Sequence, residues 1–209
     1  MKKILLILLT LCMMIGLAAC SGSNTSDEAA GTDNEMASTE EQTSEAEGND
    51  SENSTLVVYF SVTGNTRGVA EKIADITGAD VYEIKAAEEY TSEDIDYDNS
   101  DSRTTHEQND SSARPEIGSD TISLEGYTTI YIGYPIWWGQ EPRIMDTFVE
   151  SYDFDGITMI PFCTSGSSDI GQSGQNLADN AGSGSWLEGK RFASDASEDE
   201  ISTWIDGLQ

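Results

Sequence analysis

Basic residues are scarce in this chain: 10 Lys and Arg stand against 39 Asp and Glu, for a formal net charge of −29 at pH 7. A surface this acidic repels phosphate backbones and anionic lipid faces, which argues against nucleic acid as a partner. Histidine occurs once, at His106, in the most polar stretch of the chain, where it is read as a solvated surface residue rather than a catalyst. Cysteine is nearly as rare, with Cys12, Cys20 and Cys163 too far apart for zinc-ligand spacing. Also missing are the G-x-S-x-G turn of a serine hydrolase, the G-x-G-x-x-G fingerprint of a dinucleotide site and the lysine of a Walker loop. Beyond residue 17 no apolar run approaches the roughly 20 residues needed to span a bilayer.

What is present begins with the N-terminus. Met1-Lys2-Lys3 is followed by an uncharged apolar run, Ile4 to Leu17, too short to span and suited to the hydrophobic region of a signal peptide. It ends in Leu17-Ala18-Ala19-Cys20, which resembles a lipobox. The resemblance implies cleavage after residue 19, lipid attachment at Cys20, and an extracytoplasmic protein anchored at the outer face of the cytoplasmic membrane. Each buried CH₂ of an acyl chain contributes about 0.8 kcal/mol to such anchoring. Cys12 then leaves with the signal peptide and Cys163 is the last thiol, so no intrachain disulfide is expected. The mature chain carries 8 basic and 39 acidic residues.

Residues 20–54 are expected to be a lipidated cysteine and a disordered linker. Residues 21–54 hold ten acidic residues, no Lys or Arg, and almost nothing to bury. As a flexible coil they would reach about 30–35 Å. Residues 55–209 suit one domain.

Within that domain Leu56-Val57-Val58-Tyr59-Phe60 is a continuous apolar run, the pattern of a parallel strand buried on both faces. Strands are likewise expected over Asp80–Ile84, Thr128–Tyr134, Ile157–Cys163 and Lys190–Ala193. Helical spacing follows the first strand from Val69 to Thr77 and recurs over 143–152, 170–181 and 197–208, the last with Ser197 and Glu200 placed as a capping box. Pro161 inside a central strand predicts a bulge or local irregularity. Residues 86–118 break the alternation: a long polar, acidic excursion, with a helical turn near 86–90 as one option. Strand–helix alternation predicts a doubly wound parallel sheet between two helical layers, five strands in the order 2-1-3-4-5. Ligands bind such sheets at the carboxyl ends of the strands, where the order reverses.

Three loops converge there. The first, Ser61-Val62-Thr63-Gly64-Asn65-Thr66, offers hydroxyls, a glycine for a tight turn and the amides of a helix N-terminus, a neutral cradle suited to one phosphate. Phe60 through Thr66 resembles the (S/T)-x-T-G-N-T phosphate loop of flavodoxins, and the chain is similar to that family over nearly all of 55–209. The resemblance implies FMN as cofactor, with Ser61, Thr63, Gly64, Asn65 and Thr66 at its phosphate. The second loop, Pro135-Ile136-Trp137-Trp138-Gly139, falls where flavodoxins carry an aromatic against the flavin ring; one of the two tryptophans is expected there. The third, Thr164-Ser165-Gly166-Ser167, falls where flavodoxins contact the ring with backbone amides and often a tyrosine, but no aromatic occurs from 164 to 175. Tyr90 and Arg114-Pro115-Glu116-Ile117 of the excursion are candidates to fold back over the site.

Three activities are consistent with these features. The first is an electron carrier of flavodoxin type, passing electrons to a redox partner protein, for which the acidic surface suits a basic partner. The second is an FMN-dependent reductase of quinones or similar small acceptors, favoured by an unblocked ring face. The third is a ligand-binding surface lipoprotein without turnover, which the intact phosphate loop disfavours.

Overall fold

The computed structural model describes residues 54–208. The signal peptide, Cys20 and the linker up to residue 53 lie outside the described residues. The first strand starts at Ser54, so the linker expected to run to residue 54 gives way one residue earlier.

Eleven elements alternate along the described chain: β1 (Ser54–Phe60), α1 (Asn65–Thr77), β2 (Asp80–Ile84), α2 (Arg103–Asn109), β3 (Tyr127–Pro135), α3 (Arg143–Glu150), β4 (Thr158–Thr164), α4 (Ser173–Ala181), β5 (Ser185–Trp186), β6 (Lys190–Phe192) and α5 (Glu198–Asp206). The sheet is parallel in the order β2-β1-β3-β4-β5, with β6 also pairing β4. The turn of order lies between β1 and β3, so the loops leaving these two strands emerge side by side.

The two faces of the sheet separate the core into two clusters by the period of two that a strand imposes. Leu56, Val58, Phe60, Ile130, Ile132 and Tyr134 face Ile144, Phe148 and Leu177 of α3 and α4. Val57, Tyr59, Tyr131, Ile160 and Phe162 face Val69 and Ile73 of α1 and Ile201 and Ile205 of α5. Every one of these side chains is at most 7% exposed, so the hydrophobic run of β1 reflects burial on both sides. Ser197 accepts from the Glu200 amide, as the capping pattern requires, while the Glu200 carboxylate turns to Lys190 at 3.6 Å. Cys163 is a free, buried thiol, and burial pushes it up to about 12. Among the described residues no helix is long and apolar enough to cross a membrane.

Pro161 does not distort β4. It pairs with Ile132 in an unbroken β3–β4 register. Met159 accepts from the Leu187 amide on the opposite side, and Pro161, two residues on, faces the same way with no N–H to offer. The irregularity therefore falls on the outer neighbour. That strand runs as β5, leaves the ladder, and resumes as β6 with its register advanced by one residue, from Met159↔Trp186 to Phe162↔Lys190.

Gly133 of β3 lies against its β4 partner. A Cβ placed there would stand 2.1 Å from Phe162 Cζ, and Phe162 is fully buried. Gly133→Ala must push that ring into a packed layer, and overpacking of this kind costs about 1–3 kcal/mol. Urea denaturation should show the variant's midpoint falling accordingly; an unchanged midpoint would mean that the ring swings away freely.

The excursion between β2 and β3 is ordered and contains α2 rather than a helical turn near residue 86. Its base is closed by an antiparallel bridge, Ala86 with Ile117, where the Ala87 amide donates to Glu116 O at 2.8 Å and the Gly118 amide to Lys85 O at 2.7 Å. Ser102 caps α2 by accepting from the Thr105 amide. Arg143, at the start of α3, closes the other end by donating to Glu107 O and Gln108 O, both at 3.3 Å. His106 is exposed, 3.9 Å from Asp101.

Candidate functional site

The loop after β1 turns at Gly64, whose φ of 84° is left-handed and favours glycine, and α1 starts at the next residue with no side-chain cap. The first-turn amides of a helix have no intrahelical partner, so they are available to an anion. Ser61 Oγ is buried without a hydrogen-bond partner among the described residues. Thr63 and Asn65 are exposed. Thr66 is buried and shares a 2.7 Å hydrogen bond with Thr164 Oγ1, which ties the first loop to the third. Arg67, the nearest cation in sequence, is committed to Glu83 and Tyr59, so the cradle keeps neutral donors.

A cleft of about 310 Å³ opens beside this cradle, lined by Thr63 and Asn65, by Pro135, Ile136 and Trp137, and by Thr164, Ser165 and Gly166. The structure thus brings members of all three loops to one place. A volume of this size is at the lower end of small-molecule sites. Ser61 and Val62 line a second cleft, on the β2 side, with Arg67, Glu83 and Tyr90. Ser167 lies beyond the ring cleft, its amide donating to Ser165 Oγ.

The tryptophan pair divides its roles. Trp137 N–H donates to Gln140 O at 2.9 Å and Gln140 N–H returns to Trp137 O at 3.0 Å, closing a two-residue hairpin. Its central residues, Trp138 and Gly139, both have positive φ, 52° and 81°. This is the pattern of a type I′ turn, whose first central position favours Asn over an aromatic. Trp138 is the one non-glycine residue with positive φ among the described residues and is 41% exposed. Trp137 turns inward, 6% exposed, edge-on to Phe60 at 5.5 Å and to Tyr90 at 5.2 Å.

The excursion reaches the site through Tyr90, one of the residues expected, and through two others. Tyr90 is buried beneath Trp137, its hydroxyl donating to Glu107 at 2.8 Å with the Arg103 guanidinium 3.8 Å from its ring centroid. Burial, reinforced by the Glu107 carboxylate, raises this phenol above its ordinary value. Arg114 is held away by Glu150 of α3, and Ile117 belongs to the bridge at the base. Ile95 and Tyr97 instead line the cleft. Two more contributors escaped the sequence reading. Ser194 lines the cleft, and Arg191 donates through Nη2 and Nε to Ser165 O at 2.6 and 3.1 Å, fixing the third loop from behind. Arg191 is the middle residue of the three-residue β6 and Ser194 follows that strand by two positions, and neither belongs to a motif that sequence reading would single out.

A buried polar group anchors the hairpin. Glu141, fully buried, accepts from Asn176 at 3.1 and 3.2 Å and stands 3.8 Å from Arg143. Gln108 of α2 donates to the Glu141 carbonyl at 2.9 Å. Asp146, also fully buried, accepts from Arg143 at 3.2 Å and Asn180 at 2.9 Å. Desolvation pushes the Glu141 carboxyl up to about 7 and raises Asp146 as well.

Comparison with known proteins agrees with this architecture. Residues 54–208 match the model of a family described as flavodoxin. A Bacteroides eggerthii protein classed as a flavoprotein is 41% identical, its crystal structure aligning with 74% of this chain and 97% of its own at a TM-score of 0.70. A counterpart from Bacteroides uniformis is 44% identical over 74% of this chain and 98% of its own, also at 0.70. A flavoprotein from Lactobacillus acidophilus, solved in complex with FMN, shares the fold at 24% identity and a TM-score of 0.53, covering 73% of this chain and 99% of that one. No curated protein matches the chain.

Proposed function

Since the chain belongs to the flavodoxin family, we propose that its FMN-binding domain is an electron carrier, tethered through lipid on Cys20 to the outer face of the cytoplasmic membrane. The observation that carries the cofactor is the junction of an uncapped helix N-terminus, turned at the left-handed Gly64 and flanked by Thr63 and Asn65, with a cleft lined by the other two loops, while the unpartnered Ser61 Oγ lines the neighbouring cleft. This donor set fits a phosphomonoester, and the adjoining cleft fits a flat ring. Ser61, Thr63, Asn65 and the α1 amides would hold the phosphate; Pro135–Trp137 and Thr164–Gly166 would flank the ring. FMN supplies the redox chemistry, while the protein supplies binding, orientation and the local field. Arg191, by holding the Ser165 carbonyl, keeps the third-loop backbone in one conformation for the ring. The acidic surface favours a basic redox partner.

The reductase reading rests on a third loop without an aromatic. Tyr97 at the cleft weakens it, because the open ring face that reading requires is narrowed there.

Purified full-length protein titrated with FMN and FAD, then assayed with NAD(P)H and quinones, tests the reading. Tighter binding of FMN and negligible NAD(P)H oxidation are expected; tighter FAD binding overturns the cofactor, and steady quinone turnover overturns the carrier. In cells, Cys20→Ser should release the protein from the membrane fraction or leave a precursor, and unaltered fractionation counts against the anchor.

A further inference from the structure

We propose that Tyr97, on the excursion between β2 and β3, supplies the aromatic face for the flavin ring that the third loop does not carry. The inference rests on the FMN reading above and adds a cofactor-binding residue from an element the phosphate-loop motif does not reach.

Tyr97 lines the same cleft as Thr63 and Asn65 of the first loop, Trp137 of the second and Gly166 of the third. It is 51% exposed, a large aromatic left half uncovered beside a cleft of ligand size. Its ring is nevertheless held in place. The hydroxyl donates to Ile136 O at 3.3 Å, and the ring meets Trp138 edge-to-face at 5.0 Å and 63°. Trp137 is committed edge-on to Phe60 and Tyr90, so the aromatic next to the opening is Tyr97 with Trp138 behind it.

The excursion builds this position from polar contacts. Asp94 accepts from the amide and hydroxyl of Thr91, both at 2.8 Å. Its carbonyl in turn accepts from the amide and hydroxyl of Thr104, at 3.1 and 2.8 Å. Residues 95–97 are thereby pinned between α2 and the cleft. The left-handed Trp138 agrees with the same purpose. A tight turn that favours Asn instead carries a tryptophan, and its observed contact is the Tyr97 ring.

The test compares wild type, Tyr97→Leu, Tyr97→Phe and Thr63→Ala as full-length proteins, measuring FMN affinity, the fluorescence lifetime of the bound flavin, and the melting temperature of the FMN-free protein. Stacking on an aromatic face is worth about a two- to tenfold gain in affinity. Tyr97→Leu should lose that factor. Tyr97→Phe should keep it. Both should lengthen the lifetime relative to wild type, because a phenol in contact donates an electron to excited flavin and neither replacement does, while the Trp137 indole, a donor common to all four proteins, sets the baseline. FMN-free melting temperatures should stay together, since the side chain is half exposed. Wild-type affinity and lifetime in Tyr97→Leu, with Thr63→Ala weakened, overturn the proposal and leave the FMN site standing. Equal weakening in Leu and Phe variants assigns the effect to the hydroxyl bond to Ile136 and overturns the stacking role. A loss of affinity that tracks a loss of melting temperature overturns it as well. Failure of wild type to bind FMN overturns both readings together.

Discussion

Glu141→Gln should unfold at a higher temperature than wild type at pH 8, and the advantage should vanish near pH 4. The carboxyl is fully buried and pushed from its ordinary 4.5 up to about 7, with burial as the main cause. A raised carboxyl means that the folded protein keeps a proton that the unfolded chain has released. Between about 4.5 and 7 the native state binds more protons, so stability falls as pH rises through that window and levels off above it. A displacement of this size corresponds to on the order of 3 kcal/mol. In a domain of this length each kcal/mol moves the melting temperature by about 2–4 °C. The amide removes the charge while keeping an oxygen for Asn176 to donate to. Asp146 is raised for the same reason, with Arg143 facing both carboxylates and Arg114 facing Asp146, so the variant should retain a shallower slope of the same sign. Thermal melts of both proteins across pH 4–9 decide the matter, and parallel curves would show that Glu141 carries no buried charge.

Thr63→Ala and Asn65→Ala should each weaken FMN binding while leaving the fold untouched. Both residues are exposed, and neither side chain has a partner among the described residues. The fold therefore loses no side-chain hydrogen bond when either is truncated. A hydrogen bond to a charged group is worth about 1.5–3 kcal/mol, or roughly 10- to 150-fold in affinity. The two sites adjoin and share one phosphate, so the double variant need not show the sum. Thr66→Val makes the contrasting case. Thr66 is buried and bonded to Thr164, and its loss strands that hydroxyl. That variant should lower the melting temperature of the FMN-free protein, which the first two should not. Unchanged affinity in both alanine variants would remove the phosphate from this loop.

The sheet and the turn of the first loop were readable because each is encoded locally. Buried parallel strands need continuous apolar runs, and Leu56–Phe60 and Thr129–Tyr134 supply them. Gly64 needs a left-handed φ that few residues tolerate, and it stands where the turn requires it. The excursion hid its order because it buries little apolar surface. Helix α2 shows no amphipathic stripe; its buried residues are the polar Thr104 and Gln108, and what fixes it is Arg143, 35 positions after Gln108, donating to its last carbonyls. No pattern in 86–118 marks Tyr97 above Tyr90, since their fates depend on which one meets Trp137. The tryptophan pair was read as one ring-facing residue; sequence alone does not say that Gly139 sets a turn which sends Trp137 inward and Trp138 out. Pro161 signalled an irregularity, but on a neighbouring strand of two residues, too short to leave a pattern of its own.

That interrupted outer strand bears on self-association. The free edge of a sheet presents unpaired N–H and C=O groups that invite a strand from another molecule. Here the edge is divided into Ser185–Trp186 and Lys190–Phe192, offset by one residue across the gap opposite Pro161. A strand arriving in step with the first piece would be out of step with the second, and a slip of one residue turns every side chain to the opposite face. An incoming chain could then satisfy two or three residues of ladder before its apolar face pointed to water, too little to hold it. The proline that costs β4 a donor toward its neighbour thus makes this edge of the sheet, in contrast to the unbroken β2 edge, a poor template for an incoming strand.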